Sequence, residues 1–269
     1  MYGRFGVPGC DDRTSPVPDG SATLDVDGLH PLDGSAPVSD LVEFESNEAY
    51  CAVTLDDGGA NVMSPDMLGA LNDALDRAEA EEQTVLIAGR EGTFSGGFDL
   101  GVFEESPEAI FEMLRAGAET TERLLSFPHP VVVACTGHAV AMGLFLLLSG
   151  DERIGAAGDF ALQANEVEIG LTLPHFATEL CRHRLAPAHF SRATILAEPY
   201  SPEEAVEAGM LDRVVPEEAV VSRARDKAAS LTRLDVGSHT ATKRRVRADA
   251  LSRLREGIEA DVEDWQSRF

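Results

Sequence analysis

Gly92-Thr93-Phe94-Ser95-Gly96-Gly97-Phe98-Asp99-Leu100 and, further along, Thr136-Gly137-His138-Ala139-Val140-Ala141-Met142-Gly143 are the stretches whose reading decides the fold. Each follows an apolar, strand-like run, Val85–Ala88 and Val131–Cys135, and leads into a helical pattern. In that setting backbone N–H groups are left free to point at a ligand oxygen. A third stretch, Asn165-Glu166, adds a carboxylate. Two backbone donors and one fixed base suit removal of a proton beside a carbonyl, where charge develops on one oxygen and one carboxylate carries the proton.

Working outward, Leu41–Glu45 and Ala49–Leu55 read as strands joined through Ser46-Asn47-Glu48, a hairpin signal. Ser64 precedes Pro65 as a helix cap, and a helix follows to about Ala80. Pro107–Leu125 is the next helix, so the chain alternates in ββα units. Beyond Glu166 helical patterns dominate, at Phe176–Leu185, Pro187–Leu196, Pro202–Ala208, Glu217–Leu231 and from His239 onward. The strongly apolar run Ala139–Leu148 is too short to span a bilayer and reads as a buried helix. Residues 1–37, rich in Pro, Gly and Asp, cannot offset the entropy of ordering and are expected to be a flexible leader. The expected division is this leader, a core over 38–199 and a helical region over 200–269.

Taken together, Phe-Ser-Gly-Gly-Phe-Asp-Leu (94–100), Cys-Thr-Gly-His-Ala-Val-Ala-Met-Gly (135–143) and Asn-Glu-Val-Glu-Ile-Gly-Leu-Thr-Leu-Pro (165–174) resemble the three signature stretches of the enoyl-CoA hydratase/isomerase (crotonase) superfamily. The resemblance runs from about Val38 to the C-terminus. It implies an α/β fold, a crotonase-like spiral of ββα units with a C-terminal helical trimerisation region, and a homotrimer or dimer of trimers. It implies an acyl-CoA substrate, with coenzyme A arriving as part of the substrate and no permanently bound cofactor or metal. Carried over by position, the N–H groups of Phe98 and Met142 form an oxyanion hole and Glu166 is the base. Ala60, Asn61, Val62, Ser95, Gly96, Gly97 and Gly143 are the expected contacts to the CoA thioester.

One position departs from the family's hydratases, which carry a first catalytic Glu three residues after the second oxyanion residue. Here that place holds Phe145. A phenyl ring neither accepts nor donates a proton. The single carboxylate, with Gly170 and Pro174 following it, looks closer to the family's isomerases, which shift a 3-enoyl-CoA double bond to C2. A hydratase and a non-catalytic acyl-CoA-binding scaffold stay open as alternatives. Glu168 also stays open as a rival base, because residues two apart share a face in an extended chain. His138 and His175 flank the motifs and read as packed or capping side chains. Lys243, Arg244, Arg245 and Arg247 read either as a solvated helix face or as a clamp for CoA phosphates.

Composition sets the remaining bounds. With 22 basic and 47 acidic residues in 269, the net charge of −25 opposes binding to nucleic acid or an anionic membrane. Cys10, Cys51, Cys135 and Cys181 lack metal-ligand spacing and read as reduced thiols. No basic region followed by an apolar core opens the chain, and a cytoplasmic location is expected.

Overall fold

The computed structural model describes residues 36–268, so the expected leader, residues 1–37, lies outside them except for its last two positions. Ala36 and Pro37 already belong to β1 (Ala36–Ser39), which pairs antiparallel with β2 (Val42–Ser46). β2 in turn forms the expected hairpin with β3 (Tyr50–Leu55). The rest is a spiral. β5 (Thr84–Ala88), β8 (Val131–Cys135) and β10 (Glu152–Ala156) lie side by side and parallel in a seven-stranded sheet. The strand that follows each of them, β6 (Gly92–Ser95), β9 (Gly137–Val140) and β11 (Leu162–Gln163), goes to a second, three-stranded sheet in the same order. Two-residue strands β4 (Val62–Met63) and β7 (Gly97–Phe98) pair between the turns. β12 (Arg213–Val215) closes the far edge of the large sheet.

Burial explains why the central strands read as unbroken apolar runs. Every residue of Thr84–Ala88 and Val131–Cys135 is buried, as a parallel strand covered on both faces requires. Alternate side chains divide between two cores. Val85, Ile87, Val131 and Val133 join the main core under α1 (Pro65–Ala80), α2 (Pro107–Ser126) and α3 (Met142–Ser149). Leu86, Ala88, Val132 and Ala134 face α7 (Val220–Ser230), which covers them with Val220, Ala224 and Ala228, one per turn. Ser64 caps α1 as expected, its Oγ accepting from Met67 N at 3.1 Å. Among the described residues no helix is long and apolar enough to cross a membrane.

The C-terminal helices α4 (His175–Arg184), α5 (Pro187–Ile195) and α6 (Pro202–Ala208) follow the sequence pattern closely. The single closing helix expected from His239 is instead two, α8 (Val236–Val246) and α9 (Ala248–Arg268), broken at Arg247. A buried ion cluster sits at the break. Lys243 Nζ lies 2.7 Å from Asp151 Oδ2 and Arg247 Nη2 lies 2.7 Å from Asp151 Oδ1, all three side chains being largely buried. Lys243 also donates to His129 O and Arg247 to Leu125 O. Neither cation is available as a phosphate clamp, which corrects that reading; Arg244 and Arg245 remain exposed. Burial alone would raise the Asp151 pKa, but Lys243, Arg247 and the Val131 N–H outweigh it and hold it below the usual carboxylate range. This contribution to stability is therefore present at neutral pH and is lost as pH falls through the folded-state value.

Asp151→Ala leaves two buried cations without their counter-charge, and urea denaturation at pH 7 should show a loss of about 3–5 kcal/mol. A loss below about 1 kcal/mol, the scale of an exposed pair, would mean that apolar packing alone holds the α8–α9 junction.

Candidate active site

The two glycine loops meet because their backbones approach more closely than side chains allow. Gly97 has φ +101°, and a Cβ there would lie 2.8 Å from Ala141 Cβ, 3.1 Å from Val140 O and 3.5 Å from Met142 N. A Cβ on Gly143 would lie 2.4 Å from Ser95 O. Ala141, with φ 49° and ψ −123°, holds a backbone conformation costly for any residue with a Cβ, about 1–3 kcal/mol. That bend starts α3 at Met142, so the Met142 N–H is among those the helix leaves without an internal acceptor, at the positive end of its dipole. At the other end Arg184 closes the helix, its Nε donating to Leu148 O at 2.7 Å and its Nη2 to Gly150 O.

Glu166 comes to the same place from β11. The segment after it is a tight turn rather than an extended strand, with Leu171 N donating to Glu166 O at 2.8 Å and Ile169 N to Asn165 O at 3.2 Å. The turn separates the two rival carboxylates. Glu166 is buried, 6% exposed, whereas Glu168 is exposed and accepts from Gln163 Nε2 at 2.6 Å. Among the described residues Glu166 Oε2 has no hydrogen-bond partner, nor has the neighbouring Asn165 Oδ1. Burial pushes the Glu166 carboxyl up to about 7, only partly opposed by a backbone hydrogen bond. The histidines stand elsewhere. His138 is exposed and its Nδ1 accepts from Ala161 N at 3.0 Å, and the exposed His175 ring lies 3.7 Å from Asp264.

Glu166 opens onto a cavity of about 170 Å³. Phe98, Phe103, Leu114, Phe145, Leu171 and Trp265 are among its apolar lining, with Gly96 and Ala141 bringing both loops to its edge. Phe98 thus lies on the cavity, while the fully buried Met142 side chain does not line it and adjoins it only through the chain at Ala141. The Phe98 ring rests on α2, where a Cβ on Gly117 would come within 2.6 Å of it. Phe145 is 1% exposed and meets Phe176 edge-on, the ring centroids 5.7 Å apart. Among the described residues no group of three His, Cys, Asp or Glu side chains is placed to hold a metal ion.

Of the seven expected thioester contacts, Gly96 lines the cavity and the exposed Ala60 adjoins it, accepting from Gly96 N at 2.7 Å. Val62 is half-buried in β4. Asn61 and Ser95 require correction, because both side chains are fully buried and spend their polar atoms inside the chain. Asn61 Nδ2 donates to Leu55 O at 2.9 Å and Phe94 O at 3.2 Å, and its Oδ1 accepts from Asp57 N at 3.1 Å. Ser95 Oγ donates to Asn61 O at 2.7 Å and accepts from Gly97 N at 3.2 Å. They hold the first loop in shape. Gly97 and Gly143 serve the contact between loops. Leu114 and Trp265 escaped sequence reasoning; the one available signal was that Trp265 is the chain's single tryptophan.

Comparison with known proteins places the chain. A family model described as Enoyl-CoA hydratase/isomerase matches residues 45–269. An enoyl-CoA hydratase from Mycobacterium marinum is 44% identical, with TM-score 0.79 over 83% of this chain and 98% of that one. The apo Mtb enoyl-CoA isomerase is 42% identical, with TM-score 0.79 over 86% of this chain and 99% of that one. The human mitochondrial enoyl-CoA delta isomerase 1 is 28% identical over 232 residues, 84% of this chain and 77% of the relative.

Between about pH 4.5 and 7 the folded chain holds a proton on Glu166 that the unfolded chain has released. Stability is therefore unaffected by this burial below the unfolded pKa and falls as pH rises toward about 7. Glu166→Gln should stabilise the protein by roughly 3 kcal/mol at pH 8 and by little at pH 4, read by denaturation at both values. Equal effects at the two pH values would show that the carboxylate is not held in dry surroundings.

Proposed function

The chain belongs to the enoyl-CoA hydratase/isomerase family, and on that premise we propose that it moves the double bond of a 3-enoyl-CoA to C2. In this reading Glu166 takes a proton from C2 of the bound thioester. The electron pair passes into the carbonyl, whose oxygen becomes negative. The backbone N–H groups of Phe98 and Met142 stabilise that oxygen, a contribution that in comparable sites is worth 100- to 1000-fold in rate per donor. Glu166 then returns the proton at C4 and the electron pair closes as a C2–C3 double bond. One carboxylate does both transfers, and atoms balance without water.

The observation that carries the reading is Phe145. Hydration needs a water held and activated beside the substrate, and the position where the family's hydratases carry a second carboxylate is filled by a phenyl ring packed on Phe176. Glu166 itself suits the task, since a base with a pKa near 7 works at neutral pH. The competing reading, hydration of a 2-enoyl-CoA, is kept open by the hydratase name of the Mycobacterium marinum relative.

Glu166→Gln should abolish turnover of 3-hexenoyl-CoA while acyl-CoA affinity stays within a few-fold, because the amide keeps the shape and loses the base. Glu168→Gln should leave the rate nearly unchanged, and exchanged outcomes would move the base to Glu168. For the unmodified protein, kcat/KM should rise with pH through an apparent pKa of about 7, because the unprotonated carboxylate of the free enzyme is the active form. Phe145→Glu should add measurable hydration of 2-hexenoyl-CoA. Hydration by the unmodified protein as fast as isomerisation would overturn the single-carboxylate reading.

A further inference from the structure

We propose that Trp265 is a specificity-determining wall that limits the acyl chain inside the Glu166 cavity to about six carbons, an inference that rests on the acyl-CoA reading above. Its ring is shared between two spaces. One is the cavity with Glu166; the other is an open groove along α2 and α9 bordered by Phe111, Ala116 and Arg115 and, at its rim, by Glu108, Glu112 and Glu119. Trp265, 7% exposed, lines both.

The wall is held in register with the carboxylate. Gly257, Asp261 and Trp265 follow at four-residue steps along α9, so they share one face of the helix. A Cβ on Gly257 would lie 3.1 Å from His175 C and Phe176 N, so α9 touches the start of α4. One turn on, Asp261 Oδ1 accepts from His175 N and Oδ2 from Phe176 N, each at 2.8 Å. α4 begins directly after Pro174, which itself lines the cavity at the end of the Glu166 loop. Glu166 and Trp265 are thus tied through two hydrogen bonds and one close backbone contact.

Size sets the limit. An apolar cavity of about 150 Å³ takes a benzene molecule, six carbons. The Glu166 cavity is about 170 Å³, so a longer tail must displace the indole or leave through the mouth. The groove beyond the ring measures about 460 Å³, room into which a tail would run once the ring is removed.

The test uses the full chain and saturated acyl-CoAs of four to twelve carbons, whose binding by calorimetry does not depend on turnover. For the unmodified protein, affinity should stop rising near hexanoyl-CoA. Trp265→Ala should raise the ratio of dodecanoyl- to hexanoyl-CoA affinity ~10-fold or more, a gain of about two buried methylenes. Trp265→Leu, which keeps an apolar side chain on α9, serves where the alanine variant does not fold, and should shift the ratio the same way. Since Trp265 is the only tryptophan, hexanoyl-CoA should also change the protein's emission where free CoA does not. An unchanged chain-length profile in a folded variant, or an emission that ignores hexanoyl-CoA, would overturn the wall. Absence of binding at every length would overturn the acyl-CoA reading itself, whereas a shifted profile without isomerisation would leave the wall standing and remove only the reaction.

Discussion

Backbone lying against backbone is the constraint on which the rest of this structure depends. Where β6 and β9 run side by side, Gly92 faces Gly137, and a Cβ on Gly137 would fall 1.9 Å from the Gly92 carbonyl carbon. The contacts of Gly97 with Ala141 and of Gly143 with Ser95 repeat the arrangement one step nearer the cavity. No side chain can intervene, so each turn of the spiral fixes the height of the next. The Phe98 and Met142 positions are set by this contact, with Asn61 and Ser95 tying the outer loop from behind. Such preorganisation lets donors act on a developing charge without first having to move.

The second feature is a carboxylate kept in apolar surroundings. A buried acid whose anion is poorly satisfied holds its proton more tightly, and among the described residues Glu166 Oε2 has no hydrogen-bond partner. The surroundings that destabilise its anion are the ones that bring its affinity for protons into the range of neutral pH. Stability is given up locally and recovered elsewhere: at the Asp151 cluster, at the Arg184 cap on α3, and at the Asp261 contacts that seat α9. These supports stand on the C-terminal helices, so the region that looks peripheral in the chain also shapes the cavity.

How much of this was legible in the sequence follows from the range of each interaction. Four strands (β2, β3, β5 and β8), most helices and the order of the three motifs could be read because burial on both faces, proline and serine caps, and glycines at close approaches leave local marks; the short or edge strands such as β1, β11 and β12 left none. Glu166 stood out for the same reason, but its separation from Glu168 depends on the bond from Leu171 N, which only the folded turn displays. Asn61 is expected at the CoA thioester only because the family resemblance implies it. Its partners, Leu55 and Phe94, approach from other strands and consume its side chain. Lys243 and Arg247 looked like a solvated cluster because Asp151 lies far away along the chain. Trp265 is the furthest case, reaching the cavity from the last turns of α9.

The most direct test of the central claim, that one carboxylate in a dry cavity carries the proton in both directions, is to follow the label from 3-hexenoyl-CoA deuterated at C2 by NMR in ordinary water. The 2-hexenoyl-CoA formed should carry part of that deuterium at C4, because the buried acid returns it before exchanging with solvent. A product with only solvent hydrogen at C4, or 3-hydroxyhexanoyl-CoA as the main product, would contradict it.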